Sequence, residues 1–192
     1  SALIASAYYY ISSDYTAKML SVLEDNRSEF YQTLAKEVRN KIIHTYFNGD
    51  ELNTNPVTLQ SEVENIRQSM AQNYGGVTIP TAIDTQTGLA VLLRHGLYPN
   101  EVARDKLAKR LKEKMVEHNG YVTTGFAGTV DLTHALLDAG LREEAINLLI
   151  KKETPSWLFE VKMGATTTWE RWDSILPNGE ISGTDMNSLN HY

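Results

Sequence analysis

The sequence predicts an all-α protein built from antiparallel helical hairpins, and three observations support this prediction. Apolar residues recur every three or four positions along most of the 192-residue chain, which is the spacing of amphipathic helices. Short segments rich in glycine, asparagine or proline separate these stretches, so neighbouring helices are expected to run antiparallel. Strand signals are few, since only residues 157–163 alternate apolar and polar side chains, over too short a span to build a sheet.

The first two predicted helices form a hairpin. The first carries an apolar stripe made of Ile4, Tyr8, Ile11, Tyr15, Met19 and Leu23. The second carries a stripe with i, i+4 spacing, made of Phe30, Leu34, Val38, Ile42 and Tyr46. Asn26, followed three residues later by Glu29, predicts a cap at the start of the second helix, and Gly49 is expected to end it.

The next stretch of the chain combines loop chemistry with two further helices. Residues 48–58 are rich in Asn, Thr, Gly and Pro, which is the composition of a loop. A third helix is predicted from Leu59 to Met70. Residues 82–95 predict a fourth helix, which Gly96 closes because glycine favours the left-handed cap position.

Three more helices are predicted after this point. Pro99 and Asn100 open one whose stripe consists of Ala103, Leu107, Leu111 and Met115. A glycine-bounded connector at residues 120–128 precedes a helix that carries Leu132, Leu136 and Ala139 and ends at Gly140. The last helix is expected at residues 142–151, with three inward residues, Ala145, Leu148 and Leu149.

The arrangement of these helices indicates part of a closed helical ring. The tetratricopeptide pattern does not recur, and the helix pairs differ in length, which argues against a regular solenoid. Three consecutive hairpins, with an extra helix between the first and the second, suit an arc of an α/α toroid. In that fold, inner and outer helices alternate.

Composition excludes several functions. A net charge of −6 and an isoelectric point near 5.4 argue against a nucleic-acid partner, which needs a Lys- and Arg-rich face. The absence of cysteine excludes disulfides, thiolate catalysis and cysteine-based zinc sites in this chain. No apolar run approaches the roughly 20 residues of a membrane span, and no signal-peptide pattern is present, so we expect no membrane partner.

The chemistry is concentrated near the C-terminus. Residues 164–174 read GATTTWERWDS, and residues 188–192 read SLNHY. Trp169 and Trp172 flank Glu170, and no helical or strand periodicity explains their placement. An aromatic ring stacks on the C–H face of a sugar, while a neighbouring carboxylate activates water or binds hydroxyls. This segment therefore predicts a sugar-binding site in which Glu170 is catalytic.

A purely structural interpretation of the same segment stays open. In it, Trp169 and Trp172 are core residues, and Glu170 forms an ion pair with Arg171 or a lysine. Three successive threonines and the position in a glycine-bounded loop weigh against it. Arg171 and Asp173 are candidate partners that orient Glu170 or set its charge state, and a solvated salt bridge is an equal alternative for each.

Other candidate sites are weaker, and we expect no metal and no cofactor. Metal-binding spacing is missing from four scattered histidines, His44, His95, His118 and His134. No GxSxG motif supports a serine hydrolase. Residues 123–129 are either part of the rim of the sugar site or a tight turn between helices.

GATTTWERWDS followed by SLNHY resembles the signature of the bacterial α-L-rhamnosidases. Further segments agree with that family in the same order, namely DTQT at 84–87, GLYP at 96–99, TTGFAGT at 123–129 and PSW at 155–157. The resemblance covers essentially the whole chain. It implies a six-hairpin α/α toroid and hydrolysis of terminal α-L-rhamnosyl bonds in rhamnose-containing glycans or glycosides, with inversion at the anomeric carbon.

The resemblance also implies roles for individual residues. An inverting glycosidase needs two carboxyl groups about 6.5–9.5 Å apart, one as acid and one as base. The base in the family is the glutamate between the tryptophans, which corresponds to Glu170. The histidine of the NHY motif contacts the sugar in the family, and it corresponds to His191. Trp169 and Trp172 are then expected to bind substrate.

The family's general acid lies in an acid-rich segment N-terminal to everything present here, and its domain continues past NHY. We therefore expect residues 1–192 to form a single partial domain, the C-terminal portion of the toroid. By itself this chain is expected to be inactive and to self-associate. Its compartment stays open among bacterial cytoplasm, periplasm and secretion.

Two other functions remain as alternatives. A different α/α-toroid glycosidase or a lyase acting on uronic sugars would need basic residues beside the tryptophans, and only Arg171 is available. A non-catalytic helical scaffold that binds carbohydrate or protein predicts that replacing Glu170 leaves hydrolysis untouched.

Overall fold

A computed structural model of the chain describes residues 2–54, 83–183 and 187–191, without the side chains of residues 126 and 127. The prediction of a helical protein is confirmed by seven helices in these ranges. They are α1 (Ala2–Val22), α2 (Ser28–Tyr46), α3 (Gln86–Arg94), α4 (Glu101–Glu117), α5 (Phe126–Asp138), α6 (Arg142–Ile150) and α7 (Trp157–Lys162). The helix predicted at residues 59–70 lies outside the described residues.

Helices α1 and α2 pack against each other as the predicted hairpin. The predicted stripe of α1 is not its buried face, since Tyr15 is 55% and Met19 60% exposed. The buried positions are instead Leu3, Ala7, Ser13 and Ala17. Helical spacing identifies the apolar positions of a helix but does not tell which of its faces is buried. In α1 the buried face consists mostly of small residues.

The ends of α2 also differ from the prediction. Arg27 precedes the helix without a side-chain cap, so the cap predicted at Asn26 and Glu29 is wrong. The helix ends at Tyr46, before two short antiparallel strands, β1 (Phe47–Asn48) and β2 (Glu51–Leu52). Gly49 lies in the turn between the strands, where its φ of 61° suits glycine.

Helix α3 is the centre of the core and packs against α1, α4 and α5. Its residues from Leu89 to Leu92 are fully buried. Thr85 caps the N-terminus by accepting a hydrogen bond from the backbone N–H of Gly88 at 3.0 Å, so the helix begins at Gln86 rather than at residue 82. Gly96 ends it with a φ of 63°, and Leu97 donates to the carbonyl of Leu92 at 2.9 Å, as predicted.

The remaining helices confirm most of the predicted faces. Asn100 caps α4, and the whole predicted stripe of that helix is buried. In α6, Ala145 and Leu148 are buried, whereas the prediction for Leu149 is wrong because 43% of it is exposed.

The strand-like pattern at residues 157–163 belongs to helix α7. Ser156 caps this helix by accepting a hydrogen bond from the N–H of Phe159 at 3.1 Å. Helix α7 packs against α6. In the ranges that the structure describes, no helix has both the length and the apolar character needed to cross a membrane.

Candidate active site

A cavity of about 340 Å³ opens where α5 and α7 meet the C-terminal segment. All three tryptophans of the chain line it, Trp157 from α7, and Trp169 and Trp172 from the motif that follows. Thr129 of α5 and two carboxylic side chains, Glu160 and Glu170, also line it. Three of the predicted site residues, Trp169, Glu170 and Trp172, thus share a cavity with side chains from two helices.

The tryptophans of this cavity are held by ring packing and by one strong hydrogen bond. Trp157 and Trp172 meet edge to face, with ring centroids 4.7 Å apart and an interplanar angle of 84°. The indole Nε1–H of Trp172 donates to the carbonyl of Thr124 at 2.7 Å. Trp172 therefore connects the motif to the segment that precedes α5.

That segment is in turn anchored to the core helix α3. The side chain of Gln86, which is 1% exposed, donates to the carbonyl of Tyr121 at 3.0 Å and accepts from the N–H of Thr123 at 2.8 Å. Of the two interpretations of residues 123–129, the rim of the cavity fits Thr129, which lies in its wall. The central helix thus sets the position of Trp172 through two short connections.

Two backbone hydrogen bonds bring the WERWD and NHY motifs together. The N–H of Glu170 donates to the carbonyl of Ser188 at 2.9 Å, and the N–H of His191 donates to the carbonyl of Thr168 at 2.9 Å. The two motifs therefore run side by side although 21 positions separate Glu170 from His191. His191 lies beside the motif in this way, but it is not among the residues that line the cavity.

The carboxylate of Glu170 is oriented by the same segment. Its Oε2 accepts a hydrogen bond from the backbone N–H of Ser188 at 2.8 Å, and the side chain is half-buried. A charged oxygen bound by a backbone N–H makes one of the stronger hydrogen bonds in proteins. Glu170 consequently presents a held carboxylate in the wall of a cavity lined by aromatic rings.

Arg171 and Asp173 form an ion pair with each other, at 3.4 Å between Nε and Oδ1. Arg171 also donates to the hydroxyl of Ser182 at 2.6 Å. Asp173 is more than half exposed, so this pair matches the salt-bridge alternative. That either residue orients Glu170 stays a prediction.

Both tryptophans of the motif pack in the core, as the structural interpretation predicts, and their role in substrate binding stays a prediction. Trp169 is only 4% exposed, and Trp172 packs against the hydrophobic core. Both nevertheless contribute to the cavity wall. The two rings therefore serve as core residues and as cavity surface at once.

Sequence reasoning missed Glu160, the second carboxyl group in the cavity. It lies on α7 and is only 4% exposed. Burial raises the pKa of its carboxyl group to about 7, although a hydrogen bond from the backbone N–H of Trp169 opposes the rise. The available signal was the spacing of three between Trp157 and Glu160, which places both on one helix face, but only if the segment is a helix.

Helical hairpins that carry a tryptophan-lined cavity with carboxyl groups are typical of the α/α glycosidase class. Within that class, the chain belongs to the family described as the bacterial alpha-L-rhamnosidase 6 hairpin glycosidase domain, whose sequence model matches residues 1–192.

Individual relatives agree with this membership. An α-L-rhamnosidase of Formosa agariphila is 30% identical over 191 residues, which cover 99% of this chain and 18% of that protein. One from Streptomyces avermitilis is 39% identical over 109 residues, which cover 57% of this chain and 10% of that protein. The chain therefore matches less than a fifth of the length of these curated relatives.

Solved structures confirm the α/α toroid as the fold to which these hairpins belong. The Streptomyces avermitilis α-L-rhamnosidase complexed with L-rhamnose superposes with a TM-score of 0.75 at 30% identity, covering 98% of this chain and 16% of that one. The native α-L-rhamnosidase from Aspergillus terreus gives a TM-score of 0.74 at 30% identity, covering 96% of this chain and 18% of that one.

Proposed function

We propose that this chain is part of an inverting α-L-rhamnosidase and that Glu170 is its general base. The observation that carries the proposal is the held Glu170 carboxylate in a cavity walled by all three tryptophans of the chain. Residues 1–192 are then the C-terminal portion of a larger catalytic domain. The intact parent enzyme hydrolyses terminal α-L-rhamnosyl linkages.

The hydrogen bonding of Glu170 supports the role of a base. The backbone N–H of Ser188 holds Oε2 at 2.8 Å, so the direction of the carboxylate is fixed. Oε1 is then the oxygen that draws a proton from water on the face of the sugar opposite the leaving group. Fixing the carboxylate before substrate binds reduces the reorganisation that the reaction requires.

The tryptophans and His191 are proposed to bind the sugar. Ring faces in a cavity of about 340 Å³ suit a single sugar ring, which packs its C–H face on the indoles. His191, bound through its backbone to Thr168 in the cavity wall, donates a hydrogen bond to a sugar hydroxyl. The L-rhamnose complex of the Streptomyces avermitilis enzyme supports rhamnose as the sugar.

The general acid is proposed to come from outside this chain. Burial raises the pKa of Glu160 to about 7, in the range of a proton donor, but its side chain is only 4% exposed. The chain alone is therefore expected to lack half of the catalytic pair.

The test replaces Glu170 by Gln in the intact parent enzyme. Turnover on an aryl α-L-rhamnoside is expected to fall by at least about 100-fold, the usual contribution of a general base, while L-rhamnose still binds. Glu180→Gln, on the exposed turn after the motif, is the matched control and should keep normal turnover. Near-normal turnover of Glu170→Gln would refute the assignment, and so would a product that retains the anomeric configuration.

A further inference from the structure

Ser188 holds the Glu170 carboxylate through its backbone. Its N–H donates to Oε2 of Glu170 at 2.8 Å, and its carbonyl accepts from the N–H of Glu170 at 2.9 Å. Neither bond uses the serine hydroxyl. The direction of the carboxylate therefore depends on what fixes the backbone at Ser188.

The preceding residue, Asn187, is held by its side chain. Its half-buried amide group donates to the carbonyl of Ser174 at 3.1 Å and to the carbonyl of Ser182 at 3.3 Å. A primary amide carries two N–H donors, so both bonds can form at once. The N–H of Ser188 belongs to the planar peptide group that joins it to Asn187. Anchoring the Asn187 side chain therefore restricts the direction in which that N–H points.

The acceptor of the shorter of these two bonds belongs to a buried turn directly after Glu170. Ser174 is fully buried, its hydroxyl oxygen accepts from the N–H of Arg171 at 3.2 Å, and its own N–H donates to the carbonyl of Arg171 at 3.0 Å. The Ser174 carbonyl also accepts from the N–H of Ser182 at 3.0 Å, which closes the hairpin that follows the motif. Asn187 thus ties the C-terminal segment to the turn that follows the proposed base.

We propose that Asn187 is a positioning residue, whose side-chain amide holds the Ser188 N–H in the direction in which it binds the Glu170 carboxylate. The consequence for catalysis rests on the proposed function of Glu170, whereas the positioning itself does not. Aspartate and leucine have nearly the size of asparagine, and at neutral pH neither side chain carries a donor. Aspartate adds a charge and leucine does not, so an effect common to both variants comes from the lost hydrogen bonds.

The first test measures amide hydrogen exchange by NMR in the 192-residue chain. Asn187→Asp and Asn187→Leu are each expected to raise the exchange rate of the Ser188 N–H by about 10-fold or more, because this N–H turns away from Glu170. The rates are corrected for the intrinsic effect of the new neighbouring side chain. The N–H of His191 donates separately to the carbonyl of Thr168 at 2.9 Å, so its exchange rate should stay within about 3-fold of the wild type.

The N–H of Leu176 is the internal control, since it donates to the carbonyl of Glu180 at 2.8 Å and shares no partner with Asn187. An acceleration of Leu176 or His191 equal to that of Ser188 would overturn the proposal, because it would indicate general loosening or release of the whole segment. An unchanged Ser188 rate would also overturn it, as would an effect confined to the aspartate variant.

The second test measures kinetics in the intact parent enzyme. Both Asn187 variants are expected to lower kcat on an aryl α-L-rhamnoside by about 10-fold or more with KM within about 3-fold, since orientation of the base acts in the transition state. L-rhamnose should still bind with full stoichiometry, which shows that the lower kcat does not come from unfolded enzyme.

Asn178→Asp and Asn178→Leu are the matched controls for the kinetics and should keep normal kcat. Asn178 lies exposed in the turn of the same hairpin, where its amide donates to Oε2 of Glu180 at 2.8 Å. Equal loss of kcat in the Asn178 variants would overturn the proposal. So would a raised KM with normal kcat in the Asn187 variants, or a loss of kcat matched by an equal loss of L-rhamnose binding sites.

Failure of the proposed function has a different signature. It would leave the wild-type parent unable to hydrolyse rhamnosides, or Glu170→Gln with normal turnover. The exchange rate of the Ser188 N–H would still decide whether Asn187 positions it.

Discussion

Two carboxyl groups share one cavity and differ in what surrounds them. Glu170 is half-buried and accepts a hydrogen bond from the N–H of Ser188, whereas Glu160 is almost fully buried. Burial away from water disfavours the charged form of a carboxyl group. For Glu160, the raised pKa of about 7 means that the neutral form is favoured at mildly acidic pH.

The raised pKa of Glu160 makes the stability of the chain depend on pH. A carboxyl group whose pKa rises from 4.5 in the unfolded chain to about 7 in the folded one contributes fully below pH 4.5, and its contribution is lost as the pH rises through 7. Glu160→Gln removes this dependence. We expect the difference in unfolding free energy, wild type minus Glu160→Gln, to fall by roughly 2–3 kcal/mol between pH 5 and pH 8.

Urea unfolding at several pH values, analysed as that difference, cancels the titration of all other groups. Because Glu170 lines the same cavity, the measurement should be repeated with Glu170→Gln introduced into both the wild type and the Glu160→Gln variant. A difference that stays flat between pH 5 and pH 8 would contradict the buried state of Glu160.

Individual residues of the candidate site could be predicted from the sequence only where they belong to a recognisable motif. Glu170 follows from its flanking tryptophans, whereas the role of His191 was implied by the resemblance, and the pairing of the two segments was not predicted. Glu160 could not be found in this way. Its place in the cavity follows from its spacing to Trp157 on α7, and that signal can be used only when the segment is known to be a helix.

At the level of elements, prediction succeeded where two independent signals coincided. Helix α4 has both a capping Asn100 and a stripe of four buried residues, and its face was predicted in full. Helix α7 is only six residues long, so alternation over residues 157–163 was compatible with helix and strand alike. The deciding signal was Ser156, a preferred N-cap residue directly before the segment.

The contact between α3 and α5 depends on a glycine. A Cβ atom at Gly128 would lie 2.6 Å from Cγ2 and 2.8 Å from Oγ1 of Thr87. The Cβ atom of Thr87 itself lies 3.2 Å from that position, so rotation of the threonine side chain leaves a tight contact and the helices are expected to shift. We expect Gly128→Ala to destabilise the chain by about 1–3 kcal/mol despite the better helix propensity of alanine.

Gly125→Ala is the matched control, because a Cβ atom there meets nothing within 4 Å. Thr87→Ala combined with Gly128→Ala should recover most of the loss. Denaturant unfolding of the three variants measures these differences, and equal stability of Gly128→Ala and Gly125→Ala would contradict the close approach of the two helices.

At the scale of the whole molecule, α1, α2 and the turn between them carry apolar side chains that the described chain leaves exposed. The exposed fractions lie between 55% and 73% for Tyr15, Met19, Leu23 and Phe30. Large exposed apolar patches on proteins usually mark interaction sites. The apolar stripe predicted from helical spacing is therefore present on α1, but none of the described residues covers its exposed part.

The chain is expected to cover this surface with a second copy of itself and to be catalytically silent. The exposed side chains of α1 and α2 favour a homodimer that buries well over about 1,000 Å², the floor for a stable interface. Hydrolysis of an aryl α-L-rhamnoside should be undetectable, because a base without its acid leaves the departing oxygen unprotonated. Light scattering and an assay beside the intact parent enzyme test the two parts. Replacing Met19 and Leu23 by Ser should yield a monomer. A monomeric wild-type chain would contradict the predicted dimer. Hydrolysis by the chain alone would place the general acid within residues 1–192, and Glu160 would then be the first residue to replace.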